Sequence, residues 1–134
     1  QHENVRIENS IQYGDVIEGV NFEYAADLTA VNAVCLAGLA WAPLPPEFVM
    51  IGGSVKPDTR LKWDPVDDPG LAGYKVYWRE TTSPQWQFSR WVAKDTLLTL
   101  ENIIIDNYLF GVVSVSKDGN ETAVVYPKTL IPRR

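Results

Sequence analysis

The sequence predicts a mainly β fold, a seven-stranded β-sandwich preceded by one long apolar α-helix. Residues 47–134 contain short runs rich in Val, Tyr, Trp and Ile, separated by turn residues at short intervals. Residues 24–42 consist mainly of Ala, Val, Leu, Cys and Trp, a composition typical of a helix that is covered on most sides. The prolines of "APLPPEF", residues 42–48, end the helix and separate the two parts.

The apolar segment is predicted to be helical from about Phe22 to Trp41. Asn21 is placed to cap the helix, and Glu23 favours the positive end of the helix dipole. Cys35 lies in the middle of this helix, so we expect a buried structural thiol. Because it is the single cysteine in the chain, an intrachain disulfide is excluded.

The β part is predicted from alternation along its runs. In "GYKVYWRE", Tyr74, Val76 and Trp78 are expected to face a core, and the residues between them the other side of the sheet. Asp118 and Gly119 provide a hairpin turn near the end of the chain. Seven short strands in about 85 residues are typical of an immunoglobulin-like sandwich. The predicted strands lie near 47–51, 59–64, 73–80, 86–92, 97–102, 107–116 and 121–126.

Composition limits the function classes. The hydrophobic fraction of 46% and five tryptophans indicate a globular chain with a core. The net charge of −5 argues against nucleic acid as a partner, because phosphate binding needs a basic face. Asp27, Thr29 and Asn32 interrupt the apolar helix, so no membrane span is expected. The chain shows no signal peptide and does not begin with Met, and we expect it to be part of a longer polypeptide.

Motifs for catalysis are weak in this chain. The sequence contains no H-E-x-x-H motif, no phosphate-binding glycine loop and no Ser-His-Asp order. Asp64, Asp67 and Asp68 in "WDPVDDPG" offer oxygen ligands for calcium, but their spacing is that of an ordinary turn.

Three aromatic residues of the β part cannot all lie inside by strand alternation. Exposed aromatic side chains can bind sugars or a protein partner. They can also pack on one another or against a neighbouring domain, and this is the interpretation that we favour. These residues are Tyr77, Trp86 and Trp91.

The β part, roughly residues 46–127, resembles the fibronectin type III family. "RLKWDP" is similar to the second strand with its core tryptophan, here Trp63, and "GYKVYWR" to the third strand. "DNYLFGVVSVSKDGNE" is similar to the sixth strand and the turn after it. The resemblance implies that Tyr108 is the tyrosine that anchors the corner entering this strand.

The front part resembles the closing segment of the catalytic domain of bacterial leucyl-aminopeptidase-like co-catalytic zinc exopeptidases. The similar stretches are "HENVRIENSIQYGD", "VNFEYAADL" and "VNAVCLAGLAWAP". The resemblance implies that residues 1–45 are the end of that catalytic domain and residues 46–134 an appended fibronectin type III-like sandwich. It also implies that His2 is a zinc ligand in the full-length parent. In this chain we expect no cofactor and no catalysis, since one histidine and one cysteine cannot hold two zinc ions.

Two functional hypotheses follow. The first is the noncatalytic C-terminal region of a zinc aminopeptidase that cleaves peptides, either secreted, periplasmic or in the bacterial cell envelope. Its partner is then the upstream catalytic domain in cis, and the apolar helix also allows a homodimer. The second is a free-standing fibronectin-like module that binds a protein or a polysaccharide. A glycoside hydrolase bearing the same β domain is a third alternative that no residue favours.

Overall fold

The structure is a computed structural model that describes residues 5–14, 16–54 and 56–131. It divides into two compact units, Gln1–Ala37 and Gly38–Arg134. Within the described ranges there are nine strands and one α-helix. These are β1 Arg6–Glu8, β2 Ile11–Tyr13, α1 Phe22–Ala40, β3 Met50–Gly52, β4 Thr59–Lys62, β5 Leu71–Glu80, β6 Phe88–Val92, β7 Leu97–Leu100, β8 Tyr108–Ser116 and β9 Thr129–Leu130.

The first unit begins with a hairpin of β1 and β2 that was not predicted. Its two turn residues, Asn9 and Ser10, have φ values of 50° and 64°, as a two-residue turn matching the twist of the strands requires. The Arg6 guanidinium donates to Glu8 at 2.8 Å and lies 5.3 Å from the ring centroid of Tyr13. The strands are three residues long, so their side chains show too little alternation to reveal them in the sequence.

The helix begins as the sequence predicted. The Asn21 side-chain oxygen accepts a hydrogen bond from the Tyr24 N–H at 3.0 Å, which confirms the N-cap. The helix ends at Ala40, one residue before the expected end, and Pro43 follows shortly after. Because proline has no N–H and clashes with the preceding turn, the helix cannot continue through it.

The second unit contains two sheets. The four-stranded sheet has the order β7-β4-β3-β9, and the three-stranded sheet has the order β6-β5-β8. Neighbouring strands are antiparallel except β3 and β9, which run parallel. A core of large apolar side chains lies in this unit. Its side chains that are less than 2% exposed include Trp63, Tyr74, Leu61, Leu100, Val76 and Val112.

The core confirms the alternation predicted for β5. Tyr74, Val76 and Trp78 are buried, and so is Trp63 of the second-strand motif. The Tyr74 ring meets Trp63 edge to face at 5.4 Å, and its hydroxyl accepts a hydrogen bond from the Val66 N–H at 2.7 Å. Tyr74 therefore combines apolar burial with a tether to the loop that precedes its own strand.

Tyr108, for which the resemblance implied a corner anchor, is half-buried at the start of β8. Its ring meets those of Phe88 and Phe110, each at 6.3 Å between centroids. These are packing contacts, so the anchoring role stays a prediction.

The two sheets of the second unit contain seven strands, as predicted for the sandwich, but they are not the seven predicted strands. The described chain has nine, of which the front hairpin contributes two. Residues 121–126 form only isolated bridges to β8, Val112 with Val125 and Val115 with Glu121. The two bridges are three residues apart along β8 but four residues apart along the segment 121–126. The segment therefore has one extra residue, which interrupts the ladder. The strand β9, which was not predicted, has only two residues.

The core predicts a contrast between two leucines on adjacent strands. Leu61 of β4 is fully buried, whereas Leu97 of β7 is 44% exposed. We expect Leu61→Ala to lower the free energy of unfolding by about 2–5 kcal/mol, because it leaves a cavity. Leu97→Ala is expected to change it by about 0.5 kcal/mol or less. Urea denaturation followed by circular dichroism measures both, and equal losses would contradict this assignment of the core.

Candidate functional surfaces

The zinc-ligand candidate His2 lies outside the described residues. Within residues 5–14, 16–54 and 56–131, no group of three or more His, Cys, Asp or Glu side chains is placed to hold a metal ion. The donor set for zinc is therefore not supplied by the part of the chain that the structure describes.

The acidic loop considered for calcium has a structural role. One Asp68 carboxylate oxygen accepts from the Gly70 N–H at 2.7 Å, and the other from the Leu44 N–H at 3.1 Å. Both oxygens of this residue are thus engaged with backbone donors. Such bonds to backbone N–H groups are typical of aspartate in turns. They explain the choice of Asp68 without a cation.

The apolar helix is exposed on opposite sides. None of the nineteen residues of α1 is buried. Val34 is 72% exposed and Leu36 is 67% exposed, and their side chains are about 200° apart around the helix axis. No helix in the described part of the chain is long and apolar enough to cross a membrane. The surface of α1 is therefore apolar in more than one direction.

Cys35 is exposed, so the prediction of a buried thiol is wrong for this chain. The prediction assumed that neighbours cover the helix, as its composition requires. In the chain as described, no residue of α1 is buried.

An outer aromatic cluster lies on the face of the three-stranded sheet opposite the core. The Trp86 ring is 6.0 Å from Tyr77, 5.7 Å from Tyr126 and 5.5 Å from the Arg79 guanidinium. These neighbours occupy the surroundings of the indole and favour the packing interpretation for Tyr77 and Trp86 over sugar stacking. The cluster consists of Lys75, Tyr77, Arg79, Trp86, Glu121 and Tyr126.

Trp91 differs from the other two predicted aromatics. It is 52% exposed on β6, where it pairs with Lys75 of β5. Its ring lies over Gly73, where a Cβ atom would approach the indole to 2.8 Å. A side chain at position 73 would therefore collide with the indole and with the Ala93 carbonyl, and glycine avoids both. Of the three aromatics, Trp91 is the one that offers surface to a partner.

Glu121 joins the segment 121–126 to the outer face of β5. One carboxylate oxygen accepts from Lys75 Nζ at 3.0 Å, and the other accepts from the Tyr77 hydroxyl at 2.8 Å. Gly111 on β8 makes the same approach possible, because a Cβ atom there would collide with Val124. The cluster thus fixes this segment despite its broken ladder.

In the outer aromatic cluster, the pKa values of Lys75 and Tyr77 are both raised. The hydrogen bond with Tyr77, followed by that with Glu121, raises the pKa of Lys75 above its ordinary value of 10.5. Burial is the main cause that raises the pKa of Tyr77 above 10.0. Both groups therefore keep their protons more strongly in the folded chain than in the unfolded chain.

A shallow apolar cavity of about 190 Å³ opens elsewhere in the second unit. Its walls come from β3, from the start of β8 and from the segment before β9, with Ile51, Phe110 and Pro127 among them. Tyrosines are the only titratable residues among its walls. This lining suits an apolar group, and it lacks the carboxylate, imidazole and amine groups that most often act as acids or bases.

Comparison with known proteins finds similarity over most of the chain to probable zinc metalloproteases. No protein-family model matches it. Over 128 residues it is 41% identical to a probable zinc metalloprotease of Leptosphaeria maculans. The matched stretch covers 95% of this chain and 30% of the relative. A probable zinc metalloprotease of Pyrenophora tritici-repentis is 36% identical, with 95% and 26% covered. The chain thus spans about a quarter to a third of these fungal relatives.

Comparison with solved structures concerns the fold of the β part. The fibronectin type III domain of the human collagen α1(XX) chain matches with a TM-score of 0.52 and 16% identity, over 69% of this chain and 90% of that one. A redesigned β-sandwich protein matches with a TM-score of 0.52 and 17% identity, over 68% and 95%. The fold is therefore mainly β with a fibronectin type III-like sandwich.

The outer aromatic cluster predicts a loss of stability in alkali. Because the folded-state pKa values of Lys75 and Tyr77 are raised, their contribution is complete below about pH 10 and is lost as the pH rises through those values. Glu121→Gln is expected to weaken this alkaline dependence and to cost about 1 kcal/mol at neutral pH. Urea denaturation between pH 7 and 11 measures both effects.

The exposed Glu101 provides the matched control. Glu101→Gln is expected to leave the pH profile as in the wild-type chain. If Glu121→Gln shows the wild-type profile as well, the cluster does not control stability in alkali.

Proposed function

We propose that this chain is a noncatalytic, C-terminal region of a larger, exported zinc-dependent aminopeptidase. The observation that carries the proposal is the similarity to probable zinc metalloproteases, which spans 95% of the chain and so includes both units. The same stretch is only 30% of that relative, which leaves most of the relative for a catalytic domain. The aminopeptidase specificity and the position at the C-terminus come from the sequence resemblance of the front part. That resemblance also suggested a bacterial enzyme, but the relatives are fungal, so we retain export and omit the bacterial source.

The exposed apolar side chains of α1 support the proposal that another domain covers this helix in the larger protein. Burial of a large apolar side chain contributes about 1.5–3 kcal/mol. Tyr24, Leu28, Val31, Val34, Leu36 and Leu39 are each at least 49% exposed. Together they leave a potential stabilisation on the order of 10 kcal/mol unused, which is comparable to the stability of a whole domain at about 5–15 kcal/mol. A catalytic domain that covers α1 would recover it.

The second unit is then an accessory domain. It has its own core, so its fold does not depend on a catalytic site. We propose that it braces the catalytic domain through α1 and the residues that follow it. The described residues do not fit a zinc site, so we assign the chain no catalytic step, and zinc and peptide substrates belong to the rest of the parent. His2 remains our proposed contribution of the front segment to that site.

The size of the native protein tests this proposal. An antibody against this chain should detect a polypeptide several times heavier than 15.0 kDa in the medium or envelope fraction of the source organism. The same polypeptide should co-purify with aminopeptidase activity that a chelator removes and zinc restores. A native polypeptide of 15.0 kDa would contradict the proposal and favour a free-standing binding module, with Trp91 as the first residue to test.

Substitutions on the helix test the bracing role. We expect Leu39→Lys and Trp41→Lys to lower the melting temperature of the full-length enzyme, because each places a charge in a buried contact. In the 134-residue chain, where these side chains are 53% and 71% exposed, the same changes should have little effect. Differential scanning calorimetry compares the two proteins.

Leu97→Lys, at an exposed position of β7, is the matched control for the full-length enzyme. Measurements at two protein concentrations separate the effect from self-association of the short chain through its apolar helix. Unchanged melting of the full-length Leu39 and Trp41 variants would count against bracing.

A further inference from the structure

The segment that joins the helix to the first strand of the sandwich is fixed to the second unit. The Leu44 N–H donates to the Asp68 carboxylate at 3.1 Å, and the Glu47 carbonyl accepts from the Asp64 N–H at 3.1 Å. Two prolines of the segment, at positions 43 and 46, are buried. Proline restricts φ, and burial adds packing to that restriction. Residues 43–48, which we name the joint, are therefore an ordered part of the second unit and not a flexible linker.

The joint directs two apolar side chains to the surface. Leu44 is 61% exposed and Phe48 is 70% exposed. Phe48 has φ of +49°, a left-handed conformation that is unfavourable for a bulky residue and that glycine or asparagine adopts more readily. The next residue, Val49, is only 2% exposed in the core. The chain thus enters the core directly after an exposed phenylalanine held in a strained conformation.

Burial of the ring against the described residues does not offset the strain at Phe48, because the side chain is 70% exposed. Strained backbone conformations persist where the surrounding structure holds them, and they concentrate at functional positions. The hydrogen bonds on either side of Phe48 hold the conformation here. The ring itself is left available for a contact outside the described residues.

We propose that Leu44 and Phe48 form an intramolecular docking surface for the catalytic portion of the same polypeptide, which fixes the orientation of the sandwich on the enzyme. This inference rests on the proposed function. Only 5% of the chain lies outside the stretch shared with the larger relatives, so the joint lies within it. The part of those relatives beyond this stretch, about 70% of their length, supplies the occupant.

The size of the surface favours an occupant on the same polypeptide. A stable interface between separate proteins buries about 800 Å² on each partner, which two side chains cannot provide. A neighbour linked through the chain is present at an effective concentration in the millimolar range, so a small apolar contact is sufficient. Leu44 and Phe48 by themselves are therefore too small a surface for a second copy of the chain, and footprinting at rising protein concentration detects that occupant.

Hydroxyl-radical footprinting of the 134-residue chain and of the full-length protein tests the proposal directly. We expect oxidation of Phe48 and Leu44 to be several-fold slower in the full-length protein. Leu97, exposed on β7, serves as the internal control. Equal reactivity of Phe48 in the two proteins overturns the proposal. Protection that appears in the short chain as its concentration rises identifies a second copy as the occupant, and also overturns it.

A substitution gives an independent measurement. Phe48→Asn removes the ring and tolerates the left-handed backbone, so the 134-residue chain should melt as the wild-type chain does. In the full-length protein the same change should lower the melting temperature and accelerate proteolysis at the joint. Leu97→Asn, on the exposed side of β7, should do neither. A full-length Phe48→Asn protein that is as stable and resistant as wild type contradicts the proposal.

The experiments distinguish an error in the docking inference from an error in the proposed function. If the native protein is a large zinc aminopeptidase and Phe48 is still fully reactive in it, only the docking inference is wrong. If the native protein has a mass of 15.0 kDa, the proposed function is wrong and the docking inference is overturned with it.

Discussion

The sandwich depends on β5, because its two faces organise the unit in different ways. One face places Tyr74, Val76 and Trp78 in the core, and the strand pairs with both β6 and β8. The other face carries Lys75 and Tyr77, which hold Glu121 and so position the segment 121–126. A slip of one residue would exchange the two faces and bury a lysine. The register of β5 therefore fixes the apolar core and the path of the last segment together.

This dependence explains how far the sequence could predict the fold. Alternation along β5 is strong, since large apolar residues on one side are matched by charged or amphipathic residues on the other, and the N-cap at Asn21 follows a local rule. The path after β8 was harder to predict, because Val124 fits only against Gly111, which is thirteen residues earlier in the sequence and lies on the adjacent strand β8. Such a close approach is a tertiary property, and the composition of 121–126 alone indicates an uninterrupted strand.

The candidate surfaces show a second limit. The sequence indicated that α1 is apolar, but the exposure of Cys35 depends on which neighbours are present, and that information is not in the helix itself. The sequence also placed Tyr77, Trp86 and Trp91 in one group. The structure separates them, because Trp86 lies against aromatic neighbours and Trp91 does not share that arrangement. The prolines of the joint were visible in the sequence, but the left-handed conformation of Phe48 was not, since phenylalanine rarely adopts it.

The two units also differ in what their stability requires, and this bears on how such a chain works within a larger enzyme. The second unit buries Trp63 and Tyr74 between its own strands, so contacts with another domain would add orientation and not a core. The first unit contributes most of a helix that buries none of its residues, so contacts with another domain would add the greater part of its stability. A multidomain protein need not unfold in one cooperative step, and the contacts between its parts decide which of them unfold together. In the proposed parent enzyme the helix would therefore unfold with the catalytic domain, whereas the sandwich would unfold around its own core, and the joint would couple the two processes.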